Sequence, residues 1–128
     1  MTYTQNPLRI VLIEDRTVAA ITLECLLEDQ GHTISAVAAT LQQAEQVLKD
    51  PRTAADLVIF DAFLIGLPSL NLAETLKRFD LPVVVTSTKS EAELRALGYQ
   101  EPYLAQPFVA DDVAELLRKF ADLGTIAA

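Results

Sequence analysis

The sequence predicts an α/β domain, a five-stranded parallel sheet with helices on both faces. Three observations carry this expectation. Five short apolar runs punctuate the chain. Segments with helical apolar spacing follow each of them, the alternation that builds parallel sheets through right-handed crossovers. The length, 128 residues, suits one such domain.

The elements follow in order. Leu8 to Ile13 is apolar except for Arg9. Thr17 to Gln30 has a wide apolar helical face, with Val18, Ile21, Leu23, Leu26 and Leu27, and Gly31 is a natural stop. Thr33 to Val37 is a second, weaker strand run. Leu41, Ala44 and Leu48 recur at helical spacing until Asp50-Pro51 ends the segment. Leu57 to Phe60 is the third run. Leu72, Leu76 and Phe79 form the next helical face, closed by Asp80 before Pro82. Val83 to Val85 is the fourth run, followed by a short helix from Glu91 to Leu97 that ends at Gly98. Tyr103 to Ala105 is the fifth run. The last helix places Val113, Leu116, Leu117 and Phe120 at i, i+3, i+4 and i+7. Runs this short and this uniformly apolar indicate strands buried on both faces. Residues 122–128 read as a frayed tail, and no repeat, linker or low-complexity tract interrupts the chain. One domain over residues 1–128, with its core at about 8–121, is expected.

Composition narrows the function classes. At 51% hydrophobic residues the chain can bury a core. A net charge of −8 and a pI near 4.5 argue against nucleic-acid binding and against an anionic membrane surface. One cysteine, Cys25, excludes an intrachain disulfide and suits a cytoplasmic location; its apolar helical setting suggests inert packing. Met1 to Pro7 is polar and lacks the pattern of a signal peptide, and no apolar run is long enough to span a membrane. His32, a lone histidine after Gly31, reads as a turn residue rather than a ligand.

The acids are the sharper feature. Glu14 and Asp15 end the first strand run and Asp61 ends the third. Ligands in open α/β sheets bind beyond the carboxyl ends of the strands. If the first and third strands are neighbours, three carboxylates converge there. Their repulsion would be relieved by a hard divalent cation, and oxygen ligands suit Mg2+. The plainer reading is that Glu14 and Asp15 favour the dipole of the first helix, which one acid would satisfy. An aspartate beside Mg2+ can attack phosphorus and hold it as an acyl phosphate. Ser87, just past the fourth run, offers a hydroxyl at the same edge, and N–H groups after Asp61 offer further donors.

Four motifs in order carry a family resemblance. They are Ile10-Val11-Leu12-Ile13-Glu14-Asp15, Leu57-Val58-Ile59-Phe60-Asp61, Pro82-Val83-Val84-Val85-Thr86-Ser87 and Gln106-Pro107-Phe108. The sequence resembles the CheY-like receiver domains of two-component response regulators over residues 8–121. The resemblance implies a flavodoxin-like (CheY-like) sheet of order 2-1-3-4-5. It implies that Asp61 is the phosphoacceptor and that Asp15 and Asp61 bind Mg2+ directly. Glu14 would act on the metal mainly through water, with the Phe63 backbone carbonyl as a further ligand. Ser87, five residues after Pro82, would hydrogen-bond the phosphoryl group, with Thr86 as the rival. Tyr103 matches the aromatic switch position. The partners implied are a histidine kinase or phosphotransfer protein and a downstream protein target, reached through the surface of the fourth helix, fifth strand and fifth helix. A homodimer is left open. Such a domain signals rather than acting as an enzyme, beyond its own phosphorylation and dephosphorylation. Gly31-His32, Ala38-Ala39-Thr40 and the short fourth helix look like an alphaproteobacterial single-domain subgroup, although Val85-Thr86-Ser87-Thr88-Lys89 departs from that subgroup's usual run.

Gln106 stands where the family has lysine. A neutral amide donates hydrogen bonds but brings no charge, a deficit of about 1–2 kcal/mol at a charged acceptor. Lys89, the only basic residue close after Ser87, is a candidate substitute, against the default of an exposed lysine. The alternative reading is therefore an atypical receiver that serves as a phosphorylation-independent protein-interaction module. An unrelated flavodoxin-like binder or a phosphatase fits less well. Asp61 is followed by Ala62-Phe63 rather than a second aspartate two residues on, and Glu14-Asp15-Arg16 replaces a Ser/Thr/Gly-rich phosphate loop.

Overall fold

The computed structural model describes residues 6–127, with side chains described as far as Phe120. The expectation for Met1 to Pro7 falls largely outside that range. Five strands form one parallel sheet: β1 (Arg9–Ile13), β2 (Thr33–Ala38), β3 (Leu57–Asp61), β4 (Val83–Ser87) and β5 (Tyr103–Ala105). Their order is β2-β1-β3-β4-β5, as the resemblance implied. The helices are α1 (Thr17–Asp29), α2 (Leu41–Lys49), α3 (Leu70–Leu76), α4 (Glu91–Leu97) and α5 (Ala110–Ala127), and a 3-10 turn, Lys77–Phe79, continues α3.

The period-2 alternation of strands sorts the apolar runs into two cores. Val11, Ile13, Val58, Phe60 and Val85 face one side with Ala44, Leu72, Leu76 and Leu94 from α2, α3 and α4. Ile10, Leu12, Leu57, Ile59 and Val84 face the other with Leu23 and Leu27 of α1 and Val113 and Leu117 of α5. All five residues of β3 are buried, which explains its uninterrupted apolar run. The edge strand β2 alternates exposed and half-buried positions until Ala38, which accounts for its weaker pattern.

Several expectations are corrected. Val18 and Ile21, assigned to the apolar face of α1, are 79% and 52% exposed, and the buried stripe is Ala20, Leu23 and Leu27. That narrower stripe leaves Cys25 exposed rather than packed. The last helix runs to Ala127, past the expected end near residue 121. A two-stranded hairpin that the sequence did not suggest follows Asp61, pairing Phe63–Leu64 with Leu67–Pro68 outside the main sheet. Ile65 and Gly66 turn it with φ of 54° and 74°. Positive φ at both turn positions matches the twist of a tight hairpin, and glycine tolerates it where isoleucine does not favour it.

His32 is buried, in the turn between α1 and β2, and its Nδ1 accepts the Leu8 N–H at 3.0 Å. Burial holds its pKa below the ordinary 6.5, so the folded chain keeps the neutral ring that can accept this bond. The resulting stabilisation is present above pH 6.5 and declines as pH falls below it. His32→Ala is expected to cost about 1–3 kcal/mol, because it removes the acceptor of a partly buried N–H. Urea unfolding checks this, and an unchanged midpoint would show that the bond contributes nothing.

Candidate functional site

The carboxyl end of β3 delivers Asp61 to the sheet edge, 3% exposed. Hydrophobic neighbours on both faces of the strand leave its carboxylate only the opening above the sheet. Asp61 Oδ1 accepts the Phe63 N–H at 2.8 Å. Oδ2 accepts from Gln106 Nε2 at 3.1 Å and from the Arg16 guanidinium at 3.2 Å. The loop after Asp61 is fixed from behind. Ser69 Oγ donates to the Asp61 carbonyl at 2.7 Å, and the buried Tyr99 hydroxyl donates to the Ala62 carbonyl.

Glu14 follows β1 directly and is also buried. Its main-chain N–H donates to the Ala38 carbonyl at 2.9 Å, extending the β1–β2 pairing by one bond. Glu14 Oε2 accepts the Arg16 N–H at 3.1 Å and Oε1 the Arg16 guanidinium at 3.4 Å. Burial first, and then a shared hydrogen bond with Asp61, push the Glu14 carboxyl up to about 7. This is the behaviour of two carboxyls crowded at one edge, as the sequence suggested.

Asp15 does not complete the trio. It is half-buried, and its Oδ2 accepts the Ile65 N–H of the hairpin at 3.1 Å. Among the described residues no group of three or more His, Cys, Asp or Glu is assembled as a metal-ligand set. The expected convergence of three carboxylates is thus corrected to a Glu14–Asp61 pair with a guanidinium beside it. Adjacent residues in a chain project differently, and the hairpin N–H gives Asp15 a partner of its own.

The other expected site residues surround Asp61 unequally. Thr86 pairs in register with Asp61 across β3 and β4, and its hydroxyl accepts from Gln106 Nε2 at 3.2 Å. Ser87 is buried at the strand end, where its hydroxyl accepts the Lys89 N–H at 3.0 Å. Of the two hydroxyls, Thr86 is therefore the one tied to Asp61 through Gln106. The Phe63 backbone enters the site through its N–H on Asp61. Tyr103 is half-buried, and its hydroxyl donates to the Lys89 carbonyl, linking β5 to the loop before α4. Lys89 is exposed, with Nζ 5.4 Å from the centre of the Phe63 ring. The Gln106–Pro107 peptide is cis. Gln106 Oε1 accepts from the Arg16 guanidinium. Sequence reasoning missed Arg16, Ser69 and Tyr99 as site residues. Arg16 carried a usable signal, since it directly follows the acidic pair; the other two had none.

Comparison with known proteins agrees with the fold. No family model matches the chain. It is 29% identical over 113 residues to the phyllosphere-induced regulator PhyR of Methylorubrum extorquens, an alignment that covers 84% of this chain and 41% of that protein. The chain thus spans well under half of that relative's length. The solved receiver domain of Erythrobacter litoralis PhyR superimposes with a TM-score of 0.75 at 25% identity, covering 90% of each chain. SdrG of Sphingomonas melonis superimposes with a TM-score of 0.74 at 28% identity, covering 91% of this chain and 98% of that one.

Proposed function

We propose that this chain, a response-regulator receiver domain by its fold and its structural neighbours, accepts a phosphoryl group on Asp61 and passes the signal to a protein partner. One observation carries the reading. A buried carboxylate ends the central strand, with one oxygen held by a backbone N–H and the other by an amide and a guanidinium. Those donors are aimed where the phosphoryl oxygens would gather.

In the transfer, an Asp61 carboxylate oxygen forms a bond to phosphorus. The bond from phosphorus to the donor breaks, and its electron pair leaves with the donor. From a phosphohistidine the leaving group is the imidazole nitrogen, which then takes a proton. A histidine kinase or phosphotransfer protein is the donor this chemistry fits. Mg2+ belongs to the reading: Asp15, Asp61 and the Phe63 carbonyl would hold it, and Glu14 would act through water. These oxygens have the right chemistry, and Asp15, whose Oδ2 accepts the Ile65 N–H, still has Oδ1 to offer. When bound, the ion would neutralise charge on the transferring group. Output would leave through the face of α4, β5 and α5. There Tyr103 already bridges β5 to the loop before α4, and Ser87 sits beside the same loop. Addition of a doubly charged group at Asp61 would bias this linkage. A cytoplasmic setting accords with these partners.

The test is mass spectrometry after incubation with acetyl phosphate and Mg2+. The expected result is a gain of one phosphoryl mass, absent in Asp61→Asn. A wild-type chain that gains no mass at high donor concentration would defeat the reading. It would favour the phosphorylation-independent interaction module, which the absence of lysine at 106 also suits.

A further inference from the structure

We propose that Arg16 is the phosphoryl-binding cation of this site and that Gln106 is the residue that positions it; this rests on the reading of Asp61 as phosphoacceptor. Two buried carboxyls side by side are relieved by a shared proton or by a positive partner. Among the described residues, Arg16 is the cation that contacts both, at 3.4 Å from Glu14 and 3.2 Å from Asp61. Other cations have partners of their own away from this pair. Arg9 pairs with Asp56 at the opposite end of β1, Arg95 pairs with Glu91, and Lys89 lies over the Phe63 ring.

Gln106 explains why the guanidinium stays. Its amide is used in both directions, with Oε1 accepting from Arg16 and Nε2 donating to Asp61 and Thr86. The Arg16 main-chain N–H is also anchored on Glu14. The side chain is therefore tied to the residue after β1, to β3 and to the residue after β5, yet remains 50% exposed and reachable from solvent. A planar guanidinium with several donors suits the oxygens of a phosphoryl group, and Arg16 already touches the Asp61 oxygen next to which that group would sit.

The arrangement makes a distinctive demand on position 106. An acceptor is needed there while Arg16 is present, because an ammonium at that place would face the guanidinium. With Arg16 removed, the same ammonium would face the Asp61 carboxylate and the Thr86 hydroxyl, with no other cation beside it among the described residues. The effect of Gln106→Lys should therefore change sign with residue 16.

Five proteins test this: wild type, Arg16→Ala, Arg16→Lys, Gln106→Lys and the double variant Arg16→Ala/Gln106→Lys. In urea unfolding, Gln106→Lys is expected to lower the midpoint in the Arg16 background and to raise it in the Arg16→Ala background. Phosphoryl uptake from acetyl phosphate is expected to fall about tenfold or more in Arg16→Ala, the loss of a charge-assisted contact to the transferring group. The double variant should regain most of that rate, and Arg16→Lys should retain part of it. The proposal is overturned by Gln106→Lys shifts of equal size and direction in both backgrounds, or by wild-type uptake in Arg16→Ala. A wild type that takes up no phosphoryl group sinks the phosphoacceptor reading, and with it the role of Arg16 in binding the phosphoryl group. The urea series then decides separately whether Gln106 positions Arg16.

Discussion

Replacing Tyr99 with alanine is expected to lower the unfolding free energy by about 3–5 kcal/mol, the range for removing a large buried aromatic side chain. Tyr99 follows α4 and is fully buried, its ring 6.2 Å from that of Phe60 on the strand that carries the acceptor. Its hydroxyl donates to the Ala62 carbonyl and accepts the Ser69 N–H at 2.8 Å. It therefore closes both ends of the loop between Asp61 and α3, the loop whose Ser69 hydroxyl holds the Asp61 carbonyl. Tyr99→Phe should be much milder, about 0.5–1.5 kcal/mol, because the ring remains and the Ser69 N–H also donates to the Ala62 carbonyl at 2.8 Å. Urea titrations of the three proteins separate ring from hydroxyl. Equal losses in the two variants would show that the hydroxyl, not the packed ring, carries the contribution.

Tyr99 also marks the limit of what the sequence discloses. Leu57 to Phe60 was legible as a central strand because burial on both faces permits only apolar residues, and the position of Asp61 at its end followed. Glu91 to Leu97 was legible with Gly98 as its stop, and the structure adds the Ser90 capping box at its start. The crowding of Glu14 on Asp61 was readable once the family resemblance made the first and third strands neighbours, although Asp15 was expected to join them. Other features depend on contacts between residues distant in the chain. A tyrosine after a glycine gives no hint that it holds a loop 30 residues earlier. The hairpin at Phe63–Pro68 is too short to show periodicity and has isoleucine at a turn position that favours glycine or asparagine. Val18 and Ile21 misled because apolar spacing locates a helix more reliably than it locates the boundary of the buried stripe. Arg16 stood in view beside the acids. Only the geometry of β5 showed that Gln106, 90 positions away, accepts from its guanidinium.

The wild type is expected to lose stability between pH 4.5 and about 7, and Glu14→Gln is expected to remove that loss. In the folded chain the Glu14 carboxyl is pushed up to about 7, chiefly by burial and then by the hydrogen bond with Asp61, whereas its ordinary value is 4.5. Between these values the folded state holds a proton that the unfolded chain has released. Stability from this group is thus fully present below pH 4.5 and lost as pH rises through about 7. The slope approaches, at most, ~1.4 kcal/mol per pH unit. His32 works in the opposite sense, since its lowered pKa costs stability as pH falls below 6.5. Asp56, held below its ordinary range chiefly by its hydrogen bond with Arg9, acts only in stronger acid. Glutamine is close to isosteric and its one carbonyl oxygen can keep one of the two bonds that Arg16 donates to Glu14, so the variant removes the titration at the cost of a single contact. Urea midpoints measured across this window for both proteins give the comparison, and parallel curves would refute the assignment. If the curves do diverge, the burial that keeps Asp61 dry enough to be gripped by its donors is also what makes its neighbour reluctant to ionise. The acceptor edge would then be intrinsically less stable at the neutral pH where phosphoryl transfer would take place.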